Sequence, residues 1–373
     1  MKIVADANIP YAKDAFGTLG DVVLLPGRTI TNADVRDADL LLVRSVTPVN
    51  AALLEKSAIR FVGSATIGLD HVDQDNLRER KIAFAYAPGS NANSAAEYLV
   101  SALMALGLRH WSGRTVGIIG LGLIGILVQQ KARALGMTVL ANDPPLERSG
   151  GTGFVPLEAL LAESDIVTCH VPLTREGPDA TYHLLNADTF SKMRPGAVVV
   201  NTSRGAVVDN RALLGTLRKR RLGGAILDVW ENEPDPDPAL IEVVTLGTPH
   251  IAGYSLDGKV NGTVLLYEAA CKFLGLTPAW APPVSPERTV VHAADESPDE
   301  VPRIVLGAYD IRRDDAALRN IGLLPSPQRG EAFDAFRAAY PRRLEFRNTI
   351  VRMPSSAGKL GGVLAGLGFQ IER

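Results

Sequence analysis

A short apolar run that breaks into three glycines constrains this chain more than any other stretch. Val116–Ile119 is apolar and largely β-branched, and the glycines that follow have the spacing G-x-G-x-x-G. This pattern predicts a strand that turns tightly into a helix: the first glycine permits the turn, the second lets a pyrophosphate approach the backbone, and the third lets helix and strand pack closely. The amides at the helix N-terminus would then face the phosphates of a dinucleotide. The three glycines are Gly120, Gly122 and Gly125.

The residues after the glycines fit a dinucleotide site. Ile124–Leu135 is rich in helix-forming residues, Gly136 is placed to end the helix, and Met137–Asn142 predicts the next parallel strand. Asp143 ends that strand near the spacing of about 20 residues at which a carboxylate accepts hydrogen bonds from the adenosine ribose. A carboxylate there would repel a 2′-phosphate, so the sequence favours NAD over NADP. A glycine-rich turn that binds nothing is the alternative.

Composition limits the size and the partners of the protein. At 373 residues the chain is long enough for two or three domains. A formal net charge of −2 argues against non-specific nucleic-acid binding, and we expect small-molecule partners. No apolar run approaches the about 18 residues of a membrane span, and the chain begins with a strand-like pattern, so we expect a cytoplasmic protein without membrane association. Cys169 and Cys271 lack the spacing of a metal site, and we expect no metal.

Residues 1–88 show short apolar runs that alternate with helical segments, which predicts a small α/β domain with a parallel sheet. The runs are Lys2–Ala5, Val22–Leu25, Leu40–Val43, Phe61–Val62 and Ile82–Tyr86. Ligands of such sheets lie beyond the carboxyl ends of the strands. Arg44, Ser45 and Thr66 follow two of these strands, and an arginine with hydroxyls there would suit an anionic substrate. Ordinary turn and cap chemistry explains the same residues equally well.

A hinge predicted at Pro88-Gly89 leads into a second domain, residues 89–253, with a doubly wound sheet. Its later strands are predicted at Asp165–Val171, Ala197–Asn201, Ala225–Asp228 and Val243–Leu246, and its helices include Ala95–Leu108 and Asn210–Lys219. The helix Val264–Leu274 is expected to return to the first domain. Residues 1–88 with 254–280 would then form a substrate-binding domain.

The rest of the chain predicts a third domain of α+β type, residues 281–373. A proline-rich stretch, Thr277–Pro286, links it to the rest of the chain and overlaps its start. Its predicted strands are Arg303–Leu306 and Thr349–Met353, and its predicted helices are Glu331–Tyr340 and Gly361–Leu367. The charged clusters Arg312–Asp315 and Pro341–Arg343 indicate solvated surface, with a subunit contact or a phosphate site as the alternative.

Three side chains that follow strands of the second domain supply the chemistry of 2-hydroxy acid oxidation. That reaction needs a cation for the carboxylate, a base for the hydroxyl proton and a group that holds the base. Arg204 suits the first role, His250 the second and Glu233 the third. Taken singly, each has an ordinary structural explanation, and spacing in the sequence does not show that they converge.

These motifs resemble those of the D-2-hydroxyacid dehydrogenases. Besides the glycine turn, the shared stretches are Asn201–Gly205, Glu231–Pro234 and Thr248–Gly253. The resemblance implies NAD as cofactor and an α/β fold with two Rossmann-like parallel-sheet domains, one for substrate and one for NAD, plus a C-terminal α+β dimerisation domain. It also implies Arg204, Glu233 and His250 as the catalytic set and Asp228 as the partner of the nicotinamide carboxamide.

Further stretches narrow the resemblance to a branch that oxidises 4-phospho-D-erythronate at C2 during pyridoxal 5′-phosphate synthesis. They are Val4–Pro10, Val43–Thr47, Thr66–His71, Gly253–Lys259 and Tyr309–Asp315. The resemblance runs nearly end to end and implies a homodimer formed through the C-terminal domain. It implies substrate contacts at Ser45, Thr66 and Tyr254. It implies NAD contacts at Leu123, Ile124, Asp143, Thr202, Ser203, Asp228 and Gly253. Ile126 and Val171 depart from the pattern near the cofactor.

Two other functions compete with this one. Another D-2-hydroxyacid dehydrogenase, such as one that acts on 3-phosphoglycerate, would have the same catalytic set. A non-catalytic interaction protein that responds to NAD(H) would share the fold. The group that binds the substrate phosphate is also open: Arg44 and Lys259 are candidates by charge and position, and arginines of the third domain are the alternative.

Overall fold

The computed structural model describes residues 1–107, 111–283, 288–354 and 358–372. The predicted end of one helix, Leu108, and the end of the predicted linker, Val284–Pro286, lie outside the described residues. The described strands are β1 (Lys2–Asp6), β2 (Asp21–Leu25), β3 (Leu40–Val43), β4 (Phe61–Ser64), β5 (Ala83–Tyr86), β6 (Thr115–Ile119), β7 (Thr138–Asn142), β8 (Ile166–Cys169), β9 (Val198–Asn201), β10 (Gly224–Leu227), β11 (Leu246–Gly247), β12 (Thr289–His292), β13 (Thr349–Arg352) and β14 (Gln370–Glu372).

The α-helices of the described residues all lie between these strands. They are α1 (Ala12–Phe16), α2 (Asn32–Val35), α3 (Gln74–Glu79), α4 (Ala92–Ala105), α5 (Leu123–Ala134), α6 (Pro144–Arg148), α7 (Leu157–Glu163), α8 (Ala187–Lys192), α9 (Asn210–Arg218), α10 (Pro238–Val243), α11 (Leu256–Leu274), α12 (Glu300–Ala308), α13 (Arg312–Gly322), α14 (Gln328–Ala338) and α15 (Lys359–Leu367). Within the described residues, no helix combines the length and the apolar character that crossing a membrane requires.

The first compact unit contains Met1–Asn91 and the segment that begins at Ser255. Its sheet has the order β2-β1-β3-β4-β5, and all four pairings are parallel. All four residues of β3 are buried, because a parallel strand covered on both faces has no side for polar residues. α11 packs on this sheet through Leu266 and Tyr267, which share an apolar cluster with Ile3 and Leu40.

The second unit contains Ala92–Tyr254 and the C-terminal segment. Its main sheet is parallel throughout, in the order β11-β10-β9-β8-β6-β7. The chain leaves β6 for β7 on one side and later returns to β8 on the other, so the strand order reverses between β6 and β8. Ligands of doubly wound sheets bind outside the carboxyl ends of the strands at such a point. These two sheets confirm the predicted α/β fold class.

The C-terminal segment adds a small parallel sheet with the order β12-β13-β14. Its apolar residues Phe346, Val351 and Leu364 belong to the same cluster as Ala96 and Val128 of the second unit. The C-terminal segment and the main sheet of this unit therefore share a core. The division into three domains stays a prediction.

Two predicted strands are wrong in part or in whole. Arg303–Leu306 lies within α12, because Val301, Ile304 and Val305 are buried at the spacing of a helix face. The predicted strand Val243–Leu246 begins too early, since Val243 is the last residue of α10. Short apolar runs do not by themselves distinguish a strand from a buried helix turn.

Candidate active site

The glycine turn joins β6 to α5 at the point where the strand order reverses. Gly120 has a φ of +89°, and a Cβ there would lie 2.7 Å from the carbonyl oxygen of His170. A Cβ on Gly125 would lie 2.1 Å from the carbonyl oxygen of Gly120, so helix and strand approach closely. A Cβ on Gly122 would meet no heavy atom of the described residues within 4 Å, its chain neighbours apart. Open space at Gly122 and an uncapped helix N-terminus are what a pyrophosphate requires, so this turn fits a dinucleotide.

The residues around the turn are largely apolar. Leu123 and Ile124 begin α5, and the side chain of Leu123 is 57% exposed. Ile126, in the same helix, is also exposed. Val171 faces Gly120, where a Cβ would lie 2.7 Å from its Cγ1. Because these side chains offer no hydrogen bonds, polar contacts with phosphates at this turn must come from backbone amides.

Asp143 follows β7 and lies beside the glycine turn. Its Oδ2 accepts a hydrogen bond from the Leu121 amide at 2.8 Å. Its Oδ1 accepts one from the Leu146 amide at 3.0 Å and thereby caps α6. Each carboxylate oxygen accepts more than one hydrogen bond. Asp143 can therefore hold the turn and still accept ribose hydroxyls.

Asn201, at the end of β9, orders the segment that carries Thr202, Ser203 and Arg204. Its Oδ1 accepts hydrogen bonds from the amide and the hydroxyl of Ser203, at 3.0 and 2.7 Å. Its Nδ2 donates to the carbonyl oxygen of Arg204 at 2.9 Å. Thr202 Oγ1 lies 3.4 Å from Nδ1 of His170, whose pKa burial lowers to about 4, so this imidazole is neutral.

Asp228, directly after β10, organises the loop after β11. Its Oδ1 accepts hydrogen bonds from the Thr248 hydroxyl at 2.6 Å and the Ile251 amide at 2.7 Å, and Oδ2 accepts one from the Ala252 amide at 2.9 Å. Its carbonyl oxygen accepts the amide of His250 at 2.7 Å. Burial raises the pKa of the Asp228 carboxyl, although the charge of His250 and these hydrogen bonds oppose that rise. Asp228 thus fixes the loop that carries His250.

Glu233 and His250 form a hydrogen-bonded pair, with Glu233 Oε2 2.7 Å from His250 Nδ1. The other oxygen of Glu233 accepts the amide of Trp230 at 2.9 Å. Burial raises the pKa of the Glu233 carboxyl, but His250, by its charge and its hydrogen bond, and the Trp230 amide lower it overall. A carboxylate at Nδ1 assigns the proton to that nitrogen and leaves Nε2 as the acceptor. His250 has a φ of +56°, which the Asp228 network maintains.

The residues that single motifs do not indicate are those that support the Glu233–His250 pair. Asp228 and Tyr254 came only from the resemblance, although Asp228 directly follows a buried strand and the strand-end rule identifies such positions. Thr248 joins Asp228 to the buried Tyr98, whose hydroxyl lies 2.7 Å from the Thr248 hydroxyl. Tyr254, next to Gly253, lies edge-on to Tyr340 with the ring centroids 5.8 Å apart. Nothing local in the sequence indicates these contacts.

In the first unit, Ser45 and Thr66 follow β3 and β4. Ser45 is exposed. The Thr66 hydroxyl lies 2.7 Å from that of Ser64 and donates to the carbonyl oxygen of Gly68 at 2.9 Å. Ser64 Oγ is also 3.0 Å from Nε2 of His71. The structure therefore links three polar side chains at the end of β4.

Arg44 and Lys259 are two cations of the same unit whose charges interact. Lys259 lies in the first turn of α11, which Ser255 caps by accepting the amide of Gly258 at 2.8 Å. Burial, and after it the positive charge of Arg44, lower the pKa of the Lys259 ammonium to about 8. Two neighbouring cations repel each other, and an anion between them removes that repulsion.

The second unit contains the sequence of a known family. Residues 91–252 match the family described as D-isomer specific 2-hydroxyacid dehydrogenase, NAD binding domain. Residues 282–367 match a family described only as a domain of unknown function. The first match identifies the turn and its surroundings as an NAD-binding domain.

Comparison over the whole chain gives relatives that are named erythronate-4-phosphate dehydrogenase. The erythronate-4-phosphate dehydrogenase of Salinibacter ruber is 51% identical, over 94% of this chain and 94% of the relative. That of Cellvibrio japonicus is 44% identical over 99% of this chain and 100% of the relative. A crystal structure from Thermus thermophilus matches with a TM-score of 0.64 at 27% identity, covering 75% of this chain and 99% of that one. The chain therefore belongs to the erythronate-4-phosphate dehydrogenases, NAD-dependent enzymes of the D-2-hydroxyacid dehydrogenase family.

Proposed function

We propose that this protein oxidises 4-phospho-D-erythronate at C2 with NAD, giving (R)-3-hydroxy-2-oxo-4-phosphooxybutanoate, as a step of pyridoxal 5′-phosphate synthesis. The observation that carries the proposal is the Glu233–His250 pair, 2.7 Å apart, after strands of the sheet that bears the glycine turn. A carboxylate-held imidazole is a general base for a hydroxyl proton. The relatives that carry the name of this reaction match nearly the whole chain.

His250 removes the proton of the C2 hydroxyl through Nε2. Glu233 holds Nδ1 and stabilises the imidazolium that forms. Arg204 grips the substrate carboxylate, because a guanidinium offers two parallel donors to a carboxylate. NAD, when bound, accepts the hydride that leaves C2.

The NAD contacts in this proposal surround the glycine turn. Gly120, Gly122 and Gly125 with the amides at Leu123 and Ile124 receive the pyrophosphate, and Asp143 accepts the adenosine ribose hydroxyls. The further contacts are Thr202, Ser203, Asp228 and Gly253. The open space at Gly122 supports the assignment.

The substrate contacts in this proposal are Ser45, Thr66 and Tyr254, with Arg44 and Lys259 on the phosphate. The adjacent cations support the phosphate assignment, because a phosphate at neutral pH carries nearly two negative charges and would relieve their repulsion. The hydroxyls of Ser45 and Thr66 are suited to the polar groups of a hydroxy acid.

The test is NADH formation with a panel of D-2-hydroxy acids: 4-phosphoerythronate, erythronate, 3-phosphoglycerate and lactate. We expect 4-phosphoerythronate to give the highest kcat/KM. A preference for 3-phosphoglycerate, or for an acid without phosphate, contradicts the substrate assignment. NAD binding without turnover of any acid would support the non-catalytic alternative.

We also propose that two copies of the chain associate through their C-terminal segments, as the resemblance implies. Two apolar side chains of that segment support this: Leu323 is 84% exposed, and Val290 on the edge strand β12 is 43% exposed. Sedimentation velocity of Leu323→Asp against the parent protein tests it. We expect a dimer that the substitution weakens, and a parent protein that sediments as a monomer contradicts the assignment.

A further inference from the structure

The helix α14 of the C-terminal segment packs against the loop that carries Glu233. Near its first turn, Arg329 donates to the Asp235 carboxylate and to the carbonyl oxygen of Leu324. A Cβ added to Gly330 would lie 3.5 Å from Pro234 Cγ, so the helix approaches the loop closely at this glycine. The start of α14 is thus fixed against the loop that carries Glu233, by contacts with the two residues that follow it.

The last turn of the same helix faces the loop that carries His250. Arg337 places its guanidinium carbon 5.7 Å from the centroid of the Tyr254 ring. Tyr340, which follows the helix, contacts the same ring edge-on. Arg343 donates to the carbonyl oxygen of Ala252 at 3.2 Å. The C-terminal segment therefore contacts both loops that form the Glu233–His250 pair.

The chemistry of Arg337 differs from that of an arginine that only braces the fold. Its side chain is 13% exposed, and its Nε is buried without a hydrogen-bond partner in the described residues. Its nearest carboxylate contact, Nη1 to Asp334 Oδ1, is long at 3.7 Å. The same guanidinium shares a side-chain hydrogen bond with Tyr254, and a buried guanidinium that serves only the fold normally has all its donors satisfied.

The positive charge of Arg337 acts on Glu233. Burial alone would raise the pKa of the Glu233 carboxyl, and His250 and Arg337 are the charged groups that lower it. Glu233 must be ionised to stabilise the imidazolium of His250. Removing the guanidinium would therefore change the proton equilibrium of the pair.

We propose that Arg337, within the C-terminal segment matched only to a domain of unknown function, is a positioning residue that holds the Glu233 carboxylate, and with it His250 and the Tyr254 ring, in the arrangement the reaction needs. This rests on the proposed function. The C-terminal segment would then contribute to chemistry as well as to association.

The test compares Arg337→Met and Arg337→Lys with the parent protein in NAD-dependent oxidation of 4-phosphoerythronate across pH. We expect kcat/KM of Arg337→Met to fall at least about tenfold, within the about 10²-fold that a misplacement of about 1 Å can cost. The acid limb of its pH–rate profile should move to higher pH, because the lost positive charge is one of the groups that lower the pKa of the Glu233 carboxyl. Arg337→Lys keeps the positive charge, so the acid limb of its pH–rate profile should lie at the same pH as in the parent protein.

Two controls separate this role from a structural one. Arg218→Met removes an exposed arginine from the last turn of another helix, α9, and should leave rate and pH profile unchanged. In a Glu233→Gln background, Arg337→Met should cause no further shift of the acid limb, because the group it acts on is gone.

An unchanged pH profile in Arg337→Met overturns the proposal, whatever the loss of rate. So does a loss of rate that Arg337→Lys does not recover at any pH, with thermal unfolding showing that both variants are folded. Failure of the parent protein to oxidise 4-phosphoerythronate contradicts the proposed function instead. The variants are then compared on the acid that the parent does oxidise.

Discussion

The glycine turn and the loops after β10 and β11 lie at the carboxyl ends of strands of one sheet, yet they are built by different means. The glycine turn has no polar side chain for the ligand: Gly122 leaves open space, and the first amides of α5 are the hydrogen-bond donors. In the loops the protein uses charged side chains, with Asp228 accepting three hydrogen bonds and Glu233 holding His250. A site built from backbone depends on local sequence, whereas a site built from paired charges depends on residues brought together from far along the chain.

The largest effect on activity should come from a substitution in the loop that carries His250. Replacing His250 with Ala removes the proposed general base, and we expect kcat to fall about 10²- to 10⁴-fold. The Kd of NAD should change little, because the glycine turn is untouched. Stopped-flow NADH formation and a fluorescence titration measure the two quantities. His292→Ala, at an exposed histidine of β12, is the matched control, and near-normal turnover of His250→Ala would reject the assignment.

In the glycine turn, substitutions of two glycines should affect different properties: one the free energy of unfolding, the other the affinity for NAD. Gly125→Ala places a Cβ 2.1 Å from a backbone carbonyl, and such overpacking lowers the free energy of unfolding by about 1–3 kcal/mol. Gly122→Ala meets no such obstacle in the protein, so its unfolding should be unchanged while the Kd of NAD rises. Urea unfolding and NAD titration of both variants measure this. Equal unfolding free energies for the two variants would remove the distinction.

A smaller effect, limited to KM, is expected from a substitution of a residue proposed to bind the substrate phosphate. Arg44→Ala should raise KM for 4-phosphoerythronate about tenfold or more, since a hydrogen bond to a charged group contributes about 1.5–3 kcal/mol. KM for erythronate should change much less. Arg36→Ala, at an exposed arginine of the same unit, serves as control. Equal effects on the two acids would argue against a phosphate contact.

The smallest effect is a pH dependence of KM. The pKa of Lys259 is lowered to about 8, so the ammonium is charged below that pH and loses its proton above it. KM for 4-phosphoerythronate should therefore rise a few-fold between pH 7 and 9 as the charge disappears, while KM for erythronate stays flat. Lys259→Met should have a raised KM that no longer varies in this range. The same rise in Lys259→Met would show that another group titrates.

The elements predicted from sequence were those with strong local signals. Val116–Ile119 followed by the glycines, and the buried run Leu40–Val43, are confirmed as β6 and β3, because unbroken apolar runs next to turn residues favour buried parallel strands. The strand predicted at Arg303–Leu306 is wrong because Val301, which completes the buried face of the helix, lies outside that apolar run.

The candidate site was predictable where a residue lies within a few positions of the end of a strand. Arg204 and Asp143 could be chosen on that ground, since strand ends converge in a parallel sheet. Tyr254 and Arg337 could not be chosen in this way, because their candidate roles depend on the contact between their side chains. No pattern in the sequence between them predicts that contact.

By itself the sequence determined the fold class, the dinucleotide turn and the residue types of the candidate acid–base pair, because glycine spacing and apolar periodicity act over a few residues. Only the tertiary structure decided which groups hold that pair. The 2.7 Å contact of Glu233 with His250, the anchoring of the His250 loop on Asp228, and the approach of Arg337 depend on packing distant segments around one core. Charge interactions strengthen when water is excluded, so their effect is set by the burial that the folded chain creates.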